Sequence, residues 1–250
     1  FTFTTAPVGT AIGTANSGVL NIADDDSPPS VFSAGDLVIV GLNTNNGDCS
    51  GNTTEDLVSF FCFKPINTGT KLIVTDNGYA RCSGTTWGNN EGTVELTRTG
   101  PTLPAGQVIT FRIRGNTGAG NVVGIAPDGN WTCVSLNGFT SVDMNSGGDQ
   151  IFLMQGGTWP TNTPSGHNAP STGTPLYGFS TTGLWASPPP ASCANSTYNS
   201  MSNLPLSMPC FSMAPTSSQV YNKYTGPVTP ASQRDWIIRM DNTANWSSYG

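Results

Sequence analysis

The chain has 250 residues, of which 36% are hydrophobic and 10% are charged, with 30 Gly and 19 Pro. An ordinary soluble domain is about a quarter charged, so this composition excludes a coiled coil, a helical bundle and a charge-rich disordered chain. The net charge of −6 has the wrong sign for a phosphate backbone and no run of about 18 apolar residues occurs, so we expect neither nucleic-acid binding nor membrane insertion.

Residues 1–33 differ from the rest of the chain and are predicted to form an extended N-terminal arm of β-strands followed by a linker. Residues 1–5 and 18–22 alternate apolar and polar positions, as two short strands do. An acidic run at 24–26 and a Pro-Pro pair follow. Two strands by themselves are marginally stable in water, so this hairpin needs a sheet from elsewhere.

Residues 34–250 are predicted to form an all-β domain, a β-sandwich or jelly roll. Short apolar or alternating runs recur in this segment, separated by turns rich in Gly, Pro and Asn. Many short strands at this spacing are typical of sandwiches, jelly rolls and barrels. The predicted strands cover residues 36–43, 56–63, 71–75, 93–98, 108–114, 131–136, 150–154 and 176–179.

One short C-terminal helix is predicted at residues 231–240. The dipeptide Thr229–Pro230 before it offers an N-cap and a proline suited to the first turn. Trp236, Ile237 and Met240 share one face of such a helix. We therefore expect the helix to pack across the end of the sandwich.

The six cysteines indicate disulfides. They show no C-x-x-C spacing, and a single histidine leaves little from which to build a Cys/His metal centre. Disulfides form in oxidising compartments, so we expect an extracellular protein. Many pairings are open, and we favour only the one between 193 and 210, because it would close the Pro-, Ser- and Asn-rich loop at 162–215. The cysteines are Cys49, Cys62, Cys82, Cys133, Cys193 and Cys210.

Four N-x-S/T sequons predict N-linked glycans. Such sequons mark surface loops in secreted proteins, which agrees with the expectation of disulfides. We therefore expect a secreted glycoprotein, with attachment to a cell surface as one option. The acceptor residues are Asn52, Asn130, Asn195 and Asn245.

The arm also carries a recognisable pattern, in which an apolar strand runs into three aspartates, Val19-Leu-Asn-Ile-Ala-Asp-Asp-Asp26. In this feature residues 1–26 resemble the last two strands of a Calx-beta-type domain. The resemblance implies Ca²⁺ binding near Asp24, Asp25 and Asp26, since this hard ion takes oxygen ligands. The partner carboxylates of such domains are missing here, so we favour a solvated acidic linker and expect no cofactor.

Seven short motifs occur in order between residues 34 and 250. They lie at 34–43, 60–63, 72–78, 90–93, 103–106, 148–153 and 242–246. In this order the segment resembles a domain that recurs in large secreted and cell-surface proteins of microbes. That family has no assigned catalytic site, so the resemblance implies a setting rather than a reaction. The cysteines and sequons depart from the bacterial pattern and suggest a eukaryotic or otherwise glycosylating version.

No catalytic signature stands out, and we expect no enzyme. Glycoside hydrolysis needs two facing carboxylates, and none of the three glutamates lies in a recognisable motif. His167 lies in a loop, and the chain has no G-x-S-x-G elbow for a serine triad. We interpret Asp36, Asp56, Asp76 and Glu91, which recur at strand ends, as turn and cap residues.

Carbohydrate binding is the alternative function. Aromatic faces stack on sugars, and β-sandwiches commonly carry such sites, so a secreted carbohydrate-binding or adhesive module remains open. Core packing is the simpler account of most of these side chains. The six tryptophans are Trp87, Trp131, Trp159, Trp185, Trp236 and Trp246.

The arm provides the main functional hypothesis. An unsatisfied pair of strands can dock on the sheet edge of a neighbouring copy, which buries its apolar side chains. Donor and acceptor surfaces differ, so the contact is heterologous and repeats into an open filament. We therefore expect a structural subunit of an extracellular glycoprotein filament or surface layer, whose partners are identical subunits. The apolar positions of the arm are Phe1, Phe3, Val19, Leu20 and Ile22.

Overall fold

A computed structural model describes the body of the chain and leaves out the arm at 1–26. Within its described residues the chain forms two packed β-sheets, a small β-hairpin and one α-helix, which confirms the prediction of an all-β sandwich. The described residues are 27–44, 56–80, 86–88, 91–112, 130–137, 142–144, 148–159, 172–181, 185, 202–205, 207–208, 212–213 and 221–249.

The strands are short, and most of them fall where apolar or alternating runs predict them. In chain order they are β1 Leu37–Asn43, β2 Leu57–Cys62, β3 Lys71–Thr75, β4 Tyr79–Ala80, β5 Thr86–Trp87, β6 Thr93–Arg98, β7 Val108–Arg112, β8 Trp131–Ser135, β9 Gln150–Gln155, β10 Thr174–Ser180, β11 Ser212–Met213, β12 Tyr221–Tyr224 and β13 Trp246–Tyr249.

Two sheets carry these strands. The five-stranded sheet has the order β13-β12-β1-β2-β7 and is antiparallel throughout. The six-stranded sheet has the order β11-β10-β9-β3-β6-β8 and is antiparallel except where β11 joins β10. Strands β4 and β5 form the separate hairpin.

The main core lies between the two sheets and consists of large apolar side chains. Phe60 and Phe111, from the five-stranded sheet, are fully buried, and their ring centroids lie 5.4 Å apart. Phe111 also meets the edge of Trp131 from the six-stranded sheet at 5.0 Å. These contacts join the two layers into one core, as in other sandwiches.

The central strands β3 and β9 of the six-stranded sheet are largely buried on both of their faces. On β3, Leu72 and Val74 point into the main core, whereas Ile73 joins a second apolar cluster on the far side. That second cluster contains Trp87 from β5 and Phe152 from β9, whose rings meet edge to face at 5.0 Å. The continuous apolar runs of β3 and β9 follow from this double burial.

The helix is α1, Gln233–Met240. Ile237 and Met240 are buried, as their spacing predicts, and Trp236 is partly buried. The prediction of Thr229 as the cap was wrong. Ser232 is the N-cap, because its hydroxyl accepts a hydrogen bond from the Asp235 amide at 3.1 Å.

The last residues of the arm are bound to the sandwich. The Ser30 amide donates to Thr70 Oγ1 at 2.8 Å, and the Phe32 amide donates to Gln155 Oε1 at 2.7 Å. The Phe32 side chain is 4% exposed and belongs to the main core. The chain is therefore fixed to the body before β1 begins.

We predict that Phe32→Ala lowers the free energy of unfolding by about 3–5 kcal/mol, because it removes a buried ring from the core. The neighbouring Val31 is 84% exposed, so Val31→Ala should change the free energy of unfolding by less than about 0.5 kcal/mol. Denaturant unfolding of the two variants measures both values. Equal effects at the two positions would contradict the anchoring of the arm by Phe32.

Candidate functional site

A groove of about 560 Å³ lies on the outer face of the five-stranded sheet. Strands β1, β2 and β7 form its floor, and α1 borders it. Its lining is mainly apolar and includes Val40, Ser59, Phe61, Val108, Thr110 and Trp236.

Strand alternation places these side chains in the groove. On β2, Val58 and Phe60 are fully buried in the core, so Ser59 and Phe61 point to the opposite face. β7 aligns with β2, and its exposed Val108 pairs in register with Phe61. The groove thus has one apolar row that continues to the last strand of the sheet.

Aromatic side chains line the border between α1 and the sheet. Trp236 stacks on Phe61 with ring centroids 6.1 Å apart and approaches Tyr224 at 6.3 Å. The Arg239 guanidinium lies 5.2 Å from the centroid of the same indole, a distance typical of a cation–π contact. Trp236 and Phe61 are both only partly buried, so an incoming molecule can still reach part of each ring.

The groove ends beside strand β7, which with β13 is one of the two edge strands of its sheet within the described residues. The Cys62 amide donates to the Gln107 carbonyl at 3.1 Å, so Cys62 and Gln107 form a hydrogen-bonded pair. Hydrogen-bonded and non-bonded pairs alternate along antiparallel strands, so the next hydrogen-bonded pair of β2 and β7 is Phe60 with Ile109. The amides of Val108 and Thr110 therefore point away from β2. An apolar face and a row of backbone hydrogen-bonding groups lie next to each other here.

Polar contacts fix α1 in place at its first turn. Gln233 Nε2 donates to the Gly35 carbonyl at 3.0 Å and to Asp36 Oδ1 at 3.2 Å. Asp36 also pairs with Lys64 at 2.6 Å. Burial alone raises the pKa of Asp36, but the hydrogen bonds from Lys64, Ser33 and Gln233 outweigh it, so the pKa is lowered.

Asp241 and Trp246 hold the other end of α1. The Trp246 indole N–H donates to the Met240 carbonyl at 2.7 Å. Asp241, which caps the helix, accepts a hydrogen bond from the Tyr177 hydroxyl at 3.3 Å. Burial raises the pKa of Asp241 to about 7, although the Tyr177 hydrogen bond acts in the opposite direction.

Strand-end aspartates bind loops, in agreement with their interpretation as turn residues. Asp36 Oδ2 accepts from the Ser33 amide at 2.7 Å, and Asp56 Oδ2 accepts from the Met144 amide at 2.7 Å. No three acidic, histidine or cysteine side chains of the described residues are grouped so that they could hold a metal ion. His167 and the run Asp24, Asp25 and Asp26 lie outside those residues.

Two of the four sequon asparagines lie in the described part of the chain. Asn130 precedes β8 and is partly buried. Asn245 is also partly buried, and its Nδ2 donates to the Arg239 carbonyl at 2.7 Å. One hydrogen of the Asn245 Nδ2 atom makes this bond, so a glycan attached to Nδ2 would have to replace the second hydrogen. Asn52 and Asn195 lie outside the described residues, and glycosylation stays a prediction at all four sites.

The disulfide prediction gains no support at the one cysteine that the structure describes as a buried thiol. Cys62 is free, and its Sγ lies 3.4 Å from the Gln107 carbonyl oxygen. Burial raises the pKa of this thiol, which makes it less reactive. Cys133 lies on β8, partly buried, and its disulfide stays a prediction. Outside the described residues lie Cys49, Cys82, Cys193 and Cys210.

Most tryptophans belong to the interior. The side chains of Trp87, Trp131, Trp159 and Trp246 are at most 9% exposed. Trp185 is partly buried against the second apolar cluster, and Trp236 borders the groove.

The sequence analysis did not single out this groove. The apolar arm positions Phe1, Phe3, Val19, Leu20 and Ile22 lie outside the described residues. No described helix is long and apolar enough to cross a membrane.

No protein-family model matches the chain, and the comparisons with curated proteins and with solved structures gave no match either. Function is therefore argued from the groove and from the residues around it.

We predict that Asp241→Asn makes stability less dependent on pH. The wild-type carboxyl has its folded pKa raised from 3.8 to about 7, so its contribution to stability is present below about pH 4 and is lost as the pH rises through 7. The asparagine keeps an oxygen for Tyr177 and does not titrate. Between pH 4 and pH 8 the Tm should fall less steeply with rising pH for the variant than for wild type. Parallel plots of Tm against pH would contradict the raised pKa of Asp241.

Proposed function

We propose that the chain is a structural subunit of an extracellular glycoprotein filament or surface layer. In this proposal the N-terminal arm of one copy lies along β7 of the next copy and covers its groove. The observation that carries the proposal is the open apolar groove beside an outermost strand.

The composition of the groove strands supports this role. β1 reads Leu-Val-Ile-Val-Gly-Leu-Asn, a continuous apolar run of the kind that occurs in strands buried on both faces. In the single chain, however, Val40 is only partly buried and Val108 is 57% exposed. A further apolar layer would complete the burial that the sequence of β1 predicts.

The arm has the properties that such a layer needs. Residues 1–23 contain no charged side chain, and their apolar positions alternate in two short runs. Twenty-six extended residues span up to about 90 Å, enough to reach a neighbouring molecule. The arm joins the body close to the groove, since the Ser30 hydroxyl donates to the Pro65 carbonyl, just beyond the end of β2 that pairs with Val108.

Donation of this kind leads to a polymer. The donor is the arm and the acceptor is a sheet edge, so each copy can give one strand and receive another. Backbone hydrogen bonds to the outward amides of Val108 and Thr110 would supply affinity, and apolar side chains in the groove would supply register. Sequons and cysteines are consistent with a durable extracellular assembly.

Carbohydrate binding has weaker support. A stacking platform needs exposed aromatic faces, and four of the six tryptophans are at most 9% exposed. Trp236 and Phe61 in the groove are partly accessible, but Trp236 is already stacked on Phe61.

The proposal predicts that Val108→Lys prevents assembly while the domain stays folded, because a charged residue on an edge strand disfavours strand pairing. Val134→Lys is the matched control, since Val134 is 49% exposed on β8, an edge strand of the other sheet within the described residues. Electron microscopy and sedimentation of the full chain should show filaments for wild type and Val134→Lys. Deletion of residues 1–26 should also leave soluble particles.

Added peptide of residues 1–26 should bind the truncated protein, and Val108→Lys should weaken that binding at least tenfold. Filaments formed by the truncated protein, or by Val108→Lys as readily as by wild type, would refute strand donation to β7.

A further inference from the structure

Acidic residues from distant parts of the sequence meet at one end of the six-stranded sheet. Asp76 directly follows β3, and the register pairs Thr75 of β3 with Thr93 of β6. Glu91 precedes Thr93 by two residues, so it lies opposite Asn77, the residue next to Asp76. Asp149 directly precedes β9, the other neighbour of β3. The antiparallel order β9-β3-β6 therefore places Asp76 between the segments that carry Asp149 and Glu91.

The surrounding loops hold these residues in place. The amide of Asp143 donates to Asp76 Oδ2 at 2.8 Å. The Glu91 amide donates to Asn77 Oδ1 at 3.1 Å, and Asn137 Nδ2 donates to the Glu91 carbonyl at 2.6 Å. The Asp76 side chain and the Glu91 backbone are thus held by groups that belong to other residues.

Two carboxylate oxygens in this group are buried and have no hydrogen-bond partner, namely Asp76 Oδ1 and Glu91 Oε2. Asp76 is 1% exposed. The ion pairs Lys64–Asp36 and Lys71–Glu95 involve neither Asp76 nor Glu91. Burial raises the pKa of Glu91 to about 10, and the negative charges of Asp76, Asp149 and Asp143 act in the same direction.

We propose that Asp76 and Glu91 bind a hard divalent cation of the Ca²⁺ class at this end of the six-stranded sheet. The two carboxylates contribute the charge that offsets the ion. Ca²⁺ takes six to eight oxygen ligands and accepts main-chain carbonyls, amide oxygens and water, so it does not need a closed set of three acidic side chains. A bound cation would join the ends of β3 and β6 through their two carboxylates.

A proton shared by the two carboxyl groups is the competing arrangement. One carboxyl group would then be protonated and would donate a hydrogen bond to the unpartnered oxygen of the other. Such a site would not bind metal ions. The residues of this proposed site are not those of the acidic run at 24–26, which the Calx-beta resemblance links to Ca²⁺.

Isothermal titration of the full chain with CaCl₂, after removal of metals with a chelator, tests the proposal together with thermal unfolding. We expect one saturable site and a rise in Tm of roughly 5 °C at a free Ca²⁺ concentration a hundredfold above Kd. Asp76→Asn and Glu91→Gln keep the shapes of the side chains, and each should weaken Ca²⁺ binding at least tenfold. Glu95→Gln, on β6 and paired with Lys71, should bind as wild type does.

Three results would overturn the proposal: a wild-type chain that binds no Ca²⁺, wild-type affinity in Asp76→Asn and in Glu91→Gln, or loss of binding only when residues 24–26 are changed to Asn. If Asp76→Asn fails to fold by circular dichroism, Glu91→Gln decides by itself, since the Glu91 side chain makes no hydrogen bond through Oε2.

Discussion

The two sheets of this sandwich differ in how completely their faces are covered, and the functional account depends on that difference. The central strands of the six-stranded sheet lie between the main core and a second cluster that contains Trp87 and Phe152. The five-stranded sheet shares the main core, but α1 covers only part of its other face. Exposed apolar patches on a soluble domain mark interaction surfaces, so the groove is the natural place to look for a partner.

The position of the groove determines which partner suits it. It ends at β7, whose outward amides at Val108 and Thr110 lie beside the apolar row that Phe61 begins. A donated strand meets both features at once, because it supplies backbone hydrogen bonds and alternate apolar side chains. A small ligand would use the groove and leave the amides of β7 without partners. The low charge of the chain also limits repulsion between identical copies.

Local patterns predicted the core strands because each pattern follows from burial. The alternation of 93–98 and 108–114 corresponds to β6 and β7, and the apolar runs at 71–75 and 150–154 correspond to β3 and β9. The pattern missed β12 and β13, whose sequences Tyr-Asn-Lys-Tyr and Trp-Ser-Ser-Tyr are short and largely polar. β12 pairs with the edge of β1 and β13 pairs in turn with β12, so both strands depend on tertiary contacts.

The candidate sites could be predicted only in part. A continuous apolar run such as that of β1 predicts a strand buried on both faces. It does not predict whether the layer on the second face comes from the same chain or from another molecule. The open edge of β7 depends on sheet order, which the sequence does not specify. The meeting of Asp76 and Glu91 likewise requires β6 to pair with β3. The sequence identified both residues as strand-end residues but gave no reason to place them together.

Hydrogen exchange at β7 tests strand donation most directly, since it observes the acceptor edge itself. The account predicts that the Val108 and Thr110 amides exchange rapidly in the dispersed protein and at least about a hundredfold more slowly in the assembled one. The Ile109 amide, which faces β2, should be protected in both states. Equal exchange of Val108 and Thr110 before and after assembly would contradict the account, because no strand would then have paired with that edge.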